Sequence, residues 1–425
     1  MAFATCAFFG LALAPVSAWA DTLAGAVSQA LQSYPDIKAV MADRSAAAEE
    51  LAASKAQRLP RVDLSARNTV YRGLKTSDTA TVSLSASQSL YDGGVNASDR
   101  SRRQAELSAG DQRVADQATE VGLQAVIAYL EVLQSRDNLL AIRRNIDNLS
   151  DIARRVALRV EAGFGSDTDL LDVQLKLQSA DLSLVDAVDQ AAKAVINYRN
   201  LTGQAPGKLK PVTFPAGGLP PDVDTAVALA RESSPKVLAL VYDARAADAA
   251  ASGVRAAERP QVGLDLGVNH TQDMGSTWDD SQDFSARVTV SVNLFDGGLS
   301  KARVRKARYA AYASRYRAAT TGLAMEQRIR LAWTDMQTGR QRIDILSQQQ
   351  KTARKSLGLY LKRFDAGVEP LQKILDLQSQ SASADLARVA ASYGNLATGF
   401  RLLAGTGRLL PALGIAFDGK GGSNG

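Results

Sequence analysis

Residue types that commonly carry out chemistry are scarce in this sequence, which has one histidine, His270, and one cysteine, Cys6. Because His270 is the only histidine and lies beside a predicted outer loop, we expect neither a histidine metal cluster nor a Ser–His–Asp triad. The segment 203–208 (GQAPGK) has the wrong spacing for a phosphate-binding loop and lacks its closing Ser or Thr. We therefore expect no catalytic site, no cofactor and no metal, so that any energy must come from a partner.

Charges of both signs are mixed along the chain, with 50 Lys and Arg against 44 Asp and Glu and a formal net charge of +6. Nucleic-acid-binding proteins concentrate basic residues on one face or along one helix. Because the basic residues here are interspersed with acidic ones, we expect no nucleic-acid partner.

Residues 1–20 are apolar and uncharged, and they end in Ala18-Trp19-Ala20. Small residues at this spacing are typical of a secretory cleavage site, so we predict a signal peptide over 1–20. Cys6 comes before most of the apolar run, where a lipid-anchor cysteine would not lie. No later run of about 18 apolar residues follows, so a membrane crossing would have to be made by strands.

The sequence contains an internal duplication. Arg58–Leu64 (RLPRVDL) recurs 200 residues later as Glu258–Leu264 (ERPQVGL), and Leu90–Gly94 (LYDGG) recurs 204 residues later as Leu294–Gly298 (LFDGG). Later landmarks repeat in the same order. This pattern predicts tandem repeats at 21–204 and 222–407, a proline-rich linker at 205–221 and a flexible tail at 408–425.

Each repeat contains two stretches in which apolar and polar residues alternate, at about 60–72 and 79–91 and again at about 260–271 and 283–295. A period of two places one set of side chains on each face of a sheet. A soluble, half-buried sheet shares this pattern, but small aliphatic residues opposite a strongly polar set, after a secretory start, favour membrane-crossing strands. Four strands cannot close a barrel and lipid does not tolerate open edges, so several copies must share one barrel.

Long helices are predicted between the strands and the end of each repeat. Residues 95–161 and 299–365 lack proline and contain little glycine, and each stretch would span roughly 100 Å as a helix. A glycine-containing turn and a second helix follow, at 168–203 and 371–404, and shorter helices are predicted before the strands, at 36–58 and 236–258. Apolar residues spaced by threes and fours indicate that these helices pack as a bundle.

The duplicated halves, the LYDGG and LFDGG segments after the second strand of each half, and the long hairpins with glycine at their tips resemble the TolC family of outer-membrane factors. The resemblance covers essentially the whole mature chain and implies a mixed α and β membrane protein. It implies a homotrimer with a twelve-stranded transmembrane β-barrel, four strands from each chain, continuous with a twelve-helix periplasmic tunnel. It also implies contact with outer-membrane lipid and two partners: a periplasmic adaptor protein and an inner-membrane ABC transporter or proton-driven pump.

In that family, residues that follow the tip glycines hold a gate at the periplasmic end of the tunnel. The resemblance assigns gate positions to Asp169, Phe364, Glu369, Lys373 and Asp376, and adaptor docking to the tip residues Gly163, Phe164, Gly165, Gly367 and Val368. Three gate positions depart from the family pattern, because Phe364 replaces a tyrosine, Glu369 an arginine and Lys373 an aspartate. We hypothesise that Asp169 and Lys373, at equivalent positions of the two repeats, form a substitute ion pair, and the alternative is that both are solvated charges.

These features predict a passive, gated export channel of the outer membrane with a tunnel in the periplasm. Type I protein secretion is the expected route, and small-molecule efflux is the alternative. A periplasmic adaptor also has a long helical hairpin, but adaptors lack two pairs of strands and this duplication. A structural coiled-coil protein of the envelope would have no pore.

Overall fold

A computed structural model describes residues 22–72, 77–215, 218–273 and 280–417. The predicted signal peptide and residues 418–425 of the predicted tail lie outside these residues. The described chain divides into two compact units, the first from residues of 22–34, 119–223 and 330–416 and the second from residues of 35–118 and 224–329 together with Phe417. Each unit takes residues from both repeats, because the two long helices pass from one unit into the other.

The described residues are mostly helical, and the two longest helices each contain 67 residues. The helices are α1 Leu23–Ser33, α2 Pro35–Ala56, α3 Val95–Glu161, α4 Asp167–Thr202, α5 Val223–Ser233, α6 Pro235–Ala256, α7 Leu299–Asp365, α8 Leu371–Gly405 and α9 Leu409–Ala412. None of these helices is both long enough and apolar enough to cross a membrane.

Helices α1 and α5 were not predicted from the sequence. Each ends just before the proline that begins the next helix, at Pro35 and Pro235. A proline disfavours helical geometry in the residue before it, and Tyr34 and Ser234 accordingly adopt extended backbone. The same break therefore separates α1 from α2 and α5 from α6, once in each repeat.

The prediction of a flexible tail at 408–425 is wrong for its first residues. Leu409 and Leu410 in α9 are buried, and they lie over Gly122 of α3, where a Cβ atom would be only 3.0 Å from the Leu410 side chain. Burial of two leucine side chains offsets the entropy lost when this segment is ordered. The linker is also fixed to the first unit, since Phe214 packs on Phe400 with ring centroids 5.3 Å apart.

The strands form one antiparallel sheet in the order β1-β2-β3-β4, with β1 at Arg61–Tyr71, β2 at Ser77–Tyr91, β3 at Gln261–Asp273 and β4 at Asp280–Ser291. The central β2–β3 pair joins the two repeats. β4 ends at Ser291 and not at 295 as predicted, because Ser291 lies opposite Gln261, the first residue of β3, and no strand in the described part of the chain pairs beyond it. β2, β3 and β4 extend two or three residues further into the polar connections than predicted, since backbone pairing does not depend on side-chain polarity.

The two faces of the sheet differ in polarity. Leu64, Leu84, Val268 and Phe284 lie directly opposite one another across the four strands, and all four side chains are exposed. The other face is polar, with Asp265 opposite Arg287 and the Thr81 and Thr271 hydroxyls 3.3 Å apart. An apolar face left open to the surroundings is what a strand needs where lipid is its solvent.

Helices α3 and α8 are joined in the first unit by a hydrogen bond from the Tyr393 hydroxyl to Asp137 Oδ2, at 2.9 Å. Burial of the phenol and its hydrogen bond to Asp137 raise the pKa of Tyr393 above the usual value. The neutral phenol is therefore favoured in the folded chain, and its contribution to stability is complete below the ordinary tyrosine pKa of about 10. Above that pH the unfolded chain loses the proton first, so the contribution falls.

We expect Tyr393→Phe to lower stability by about 1 kcal/mol at neutral pH, because one hydrogen bond is lost. The variant should also lose less stability than the parent between neutral pH and about pH 11, since the phenol is absent. Thermal unfolding in detergent, followed by circular dichroism, measures both effects. Tyr316→Phe is the matched control, because Tyr316 is exposed on α7 and its removal should leave the alkaline loss unchanged. Equal alkaline losses in all three proteins would contradict the assignment to Tyr393.

Candidate functional site at the hairpin tips

The first unit contains two helix-to-helix turns, the tips, at 162–166 between α3 and α4 and at 366–370 between α7 and α8. The second residue of each is a glycine in the left-handed region, Gly163 at φ 77° and Gly367 at φ 79°. At each tip the glycine N–H and the next residue's N–H donate back to the last helical turn, for example from Phe164 to Arg159 O at 2.8 Å and from Val368 to Arg363 O at 3.0 Å. This is the Schellman arrangement, which ends a helix sharply and requires glycine for its positive φ.

The residue after each tip glycine is apolar and projects into the surroundings. Phe164 is 77% exposed and Val368, at the equivalent position of the second repeat, is 65% exposed. Gly165 follows Phe164 and lies so close to α3 that a Cβ atom there would be 2.9 Å from the Val160 side chain. The predicted docking residues thus form two compact turns, each of which presents one exposed apolar side chain.

The predicted gate residue Asp169 has a structural task in its own helix. Ser166 is the N-cap of α4, with its hydroxyl accepting from the Thr168 N–H, and the Ser166 N–H donates to Asp169 Oδ2 at 3.4 Å. This capping box satisfies two N–H groups that the helix start leaves without partners. The N-cap residue of α8, Pro370, makes no side-chain capping hydrogen bond, so the two tips differ although their glycine turns match.

Phe364 lies in the interior and not on an open surface. It is buried in an apolar cluster to which α3, α4, α7 and α8 all contribute, formed by Leu149, Ile152, Val156, Val173, Ala180, Leu357, Phe364, Leu371, Ile374, Leu375 and Leu377. The Arg159 guanidinium stacks over its ring at 4.6 Å, and Arg159 Nη1 donates to Phe364 O at 2.7 Å. A tyrosine hydroxyl at this position would need a buried partner, whereas Phe364 fills the site with apolar surface.

The remaining predicted gate residues do not meet one another within one chain. Glu369 pairs with Arg363 at 2.8 Å, and Lys373 Nζ lies 5.8 Å from the centroid of the Tyr360 ring. Asp376 is exposed. The hypothesised ion pair between Asp169 and Lys373 is not formed within the chain.

A link between the helices of the two repeats was not predicted from the sequence. Arg155 of α3 donates to Asp365 of α7 at 2.6 Å and to Asp151, one turn earlier on α3, at 2.8 Å. Hydrogen bonds to Asp151 and then to Asp365 raise the pKa of Arg155 above its already high usual value. A second link joins the shorter helices of the two hairpins, since Gln372 Nε2 of α8 donates to Asp172 Oδ2 of α4 at 2.6 Å. The sequence signal was the Asp-x-x-x-Arg spacing at the end of α3, but it does not reveal a partner on α7.

The tips are therefore held together by contacts of two kinds. The apolar cluster is buried and independent of salt, whereas the Arg155 and Asp365 side chains are partly exposed, which limits such a pair to at most about 1 kcal/mol. Among the ranges that the structure describes, no group of three or more His, Cys, Asp or Glu is arranged to hold a metal ion. The chemistry available at the tips is recognition by shape and charge.

Comparison with known proteins covers nearly the whole described chain. The family model for outer membrane efflux proteins matches residues 26–204 and 226–408, one match for each repeat. The outer membrane efflux protein BepC of Brucella suis is 23% identical over 405 residues, which cover 94% of this chain and 88% of BepC. The outer membrane protein TolC of Vibrio cholerae is 26% identical over 322 residues, or 71% of this chain and 72% of that protein.

Solved structures share the fold. The outer-membrane channel OprN superposes with a TM-score of 0.80 at 21% identity, covering 93% of this chain and 90% of OprN. The predicted fold is thereby confirmed: four strands of each copy contribute to a shared barrel that continues into a helical tunnel. The match to the outer membrane efflux protein family confirms the predicted location in the outer membrane. With both repeats matched, the chain belongs to the outer membrane efflux protein family, whose members are trimeric outer-membrane channels that work with adaptor and inner-membrane pump partners.

Proposed function

We propose that this protein is a passive, gated conduit without catalytic activity, opened by a periplasmic adaptor together with an inner-membrane transporter. The observation that carries the proposal is the pair Arg155–Asp365, which joins α3 to α7 near the tips by a partly exposed contact. Contacts of this strength hold one arrangement by a small free energy. A partner that binds the other arrangement more tightly can therefore reverse the preference.

Docking of the adaptor is assigned to the residues Gly163, Phe164, Gly165, Gly367 and Val368. The exposed Phe164 and Val368 side chains support it, because each offers an apolar anchor on a rigid glycine turn at equivalent positions of the repeats. Anchors of this kind dominate binding when a partner surrounds and desolvates them. Because each chain carries two similar sites, several copies of a partner could bind at equivalent tips around the ring.

Gate roles are proposed for the exposed charged positions Lys373 and Asp376, for the partly exposed Asp169, and for Glu369, which is mostly buried beside Arg363, all acting where the three copies meet. Phe364 is reassigned to packing beneath the gate, because it is buried in the apolar cluster. Arg155 and Asp365 are added to the gate, because they join α3 to α7 at the tip.

The proposed route is type I protein secretion. Its support is that the sequence has no cysteine after Cys6, a pattern that favours the TolC-like branch over the lipid-anchored one. Small-molecule efflux is the second candidate, and the name of the Brucella relative, an outer membrane efflux protein, favours it. The two routes differ in the inner-membrane partner and not in the duct.

Gate strength is tested by Arg155→Ala in purified protein reconstituted into planar bilayers. Loss of the contact to Asp365 should raise the closed-state conductance by up to about fivefold, the equivalent of 1 kcal/mol. Arg154→Ala is the matched control, because Arg154 pairs only with Asp151 on its own helix and should leave conductance unchanged. Equal leaks in the two variants would show that the pair does not hold the tips closed. Lys373→Ala should raise the closed-state leak if Lys373 acts at the gate where the copies meet, and an unchanged leak would remove Lys373 from the gate.

The route is tested by deleting the gene and restoring it on a plasmid. Loss of one or a few proteins from the culture medium, with unchanged tolerance of dyes and antibiotics, is the expected result for type I secretion. Lowered tolerance and increased dye retention with an intact set of secreted proteins would overturn this route in favour of efflux. Restoration with the parent chain is the control.

A further inference from the structure

The two long helices differ in charge where they leave the sheet. Residues 299–325 of α7 include seven Lys and Arg and no Asp or Glu, whereas the equivalent residues 95–121 of α3 include four basic and five acidic residues. On α3, Arg102 is paired with Asp99 and Glu106 of the same helix. In this part of α7, Arg315 pairs with Asp248, and the described residues offer the other six cations no ion pair.

Three of these cations and two tyrosines form a stripe on one face of α7. The stripe consists of Lys301, Arg305, Arg308, Tyr309 and Tyr312. These residues lie within an arc of about 100° on the helix, and all five side chains are exposed. The equivalent residues of α3 are Ala97, Ser101, Gln104, Ala105 and Ser108. The stripe is therefore a property of the second repeat alone.

The first repeat shows which faces of a long helix are covered when helices pack on both of its sides. α3 lies between α2 and α6, since Asp111 accepts from Arg44 of α2 at 2.9 Å and Arg113 donates to Asp243 of α6 at 2.7 Å. The α3 residues that remain exposed on the face equivalent to the stripe are Ala97, Ser101 and Gln104. This face thus stays open even with both flanks occupied.

The same packing is repeated where α6 meets α7. The pair Arg315–Asp248 occupies the positions of Asp111–Arg44, shifted by 204 residues and with the charges exchanged. Because the flank of α7 that faces α6 is the flank of α3 that faces α2, the faces of the two long helices correspond. The stripe is therefore expected to stay open in the assembled protein.

The direction in which this face points follows from the contacts of α3. Arg103 and Asp111 touch α2, whereas Ser98 and Arg113 touch α6. At about 100° per residue, these contacts leave one open arc of about 140° and another of about 80°. In a closed ring of helices the outer arc is the wider one, and the wider arc contains the equivalents of the stripe. The stripe therefore faces outward and not into the duct.

The stripe begins next to the membrane-crossing sheet. Leu294, near the end of the alternating pattern of β4, is 90% exposed, and Lys301 follows seven residues later. Arg308 lies two turns further along α7, roughly 10 Å from Lys301. Side chains of a helix lean toward its N-terminus, which for α7 is the end at the sheet. The long side chains of Arg305 and Arg308 can therefore reach back toward Lys301 and the membrane surface.

We propose that Lys301, Arg305 and Arg308, with Tyr309 and Tyr312 beside them, bind the headgroup of an anionic phospholipid at the base of the barrel, one site on each chain. Cations beside a membrane surface attract anionic lipids, and arginine binds phosphate through paired N–H donors. Tyrosine suits the boundary between an apolar surface and water. The inference rests on the location in the outer membrane and not on the cargo or the route.

An anionic polymer of the cell wall is the competing occupant, because it too carries negative charge. The order of the residues favours the lipid. The cations come first on α7, directly after the exposed apolar end of the sheet, where headgroups lie. A polymer away from the membrane would not require cations at that end of the helix.

Native mass spectrometry of the detergent-solubilised trimer tests the site, with phosphatidylglycerol as the probe and phosphatidylcholine with the same acyl chains for comparison. The parent protein should retain up to three phosphatidylglycerol molecules per trimer in preference to phosphatidylcholine. One cation near a membrane surface is worth about fivefold in lipid affinity. Arg305→Gln should therefore weaken retention about fivefold, and the triple variant Lys301→Gln, Arg305→Gln, Arg308→Gln by more than tenfold.

The matched control removes the same charge from exposed positions of α7 in the first unit, by Arg340→Gln, Arg342→Gln and Lys351→Gln. It should retain phosphatidylglycerol as the parent does, and unboiled gels confirm that each variant is a trimer. Parent-like retention by the triple variant overturns the proposal. An equal loss in the control, or equal retention of phosphatidylcholine by the parent, overturns it as well.

Two further measurements separate the competing arrangements. If the triple variant loses binding to purified cell-wall sacculi but keeps phosphatidylglycerol, the occupant is the polymer and the lipid proposal is wrong. In planar bilayers the triple variant should keep the parent's selectivity between anions and cations, because the stripe faces outward. A marked loss of anion preference would place the stripe in the duct and overturn the outward assignment.

Discussion

Backbone hydrogen bonding in lipid is the constraint on which this protein depends. An N–H or C=O group that faces hydrocarbon without a partner costs several kcal/mol, and no water is present to replace the missing partner. The sheet of one chain has two open edges, β1 and β4, and its apolar face is exposed. A single copy is therefore an incomplete unit in the membrane, and closure of a ring satisfies both edges at once.

Because of the duplication, the same two kinds of strand can close the ring as already pair within one chain. The β2–β3 pair joins the two repeats inside the chain, and β4 with the neighbour's β1 would join the same two kinds of strand between chains. The same kind of strand pair thus occurs both within each chain and between neighbouring chains. The two glycine corners differ in their contacts. Gly93 lies against Ala256 of the same chain, whereas Gly297, with nearly the same φ, has no neighbour within 4 Å of its Cβ position in one copy.

The tips show how duplicated elements acquire different tasks. Both keep the same glycine turn and one exposed apolar residue, so each can present the same shape to a partner. Their charges have diverged, with Asp169 capping α4 and Lys373 lying over Tyr360 at the corresponding place on α8. The buried cluster around Phe364 fixes the helices at the level of the tip. The partly exposed Arg155–Asp365 pair is weak enough to be exchanged when a partner binds.

The sequence by itself determined the duplication, the four strands and the long helices, because these follow from local periodicity and from the spacing of glycine and proline. It also determined that one chain cannot close a barrel, since four strands leave two edges in lipid. Only the tertiary structure decided that Phe364 is buried, that Arg155 reaches Asp365 and that the segment after residue 408 begins with a docked helix. Each of these depends on which residue of a distant helix lies opposite, and the period of a single helix carries no information about its partner. For the same reason β4 stops at Ser291 although its alternating pattern continues to 295, because a strand is defined by its neighbour and, within the described residues, no strand pairs with 292–295.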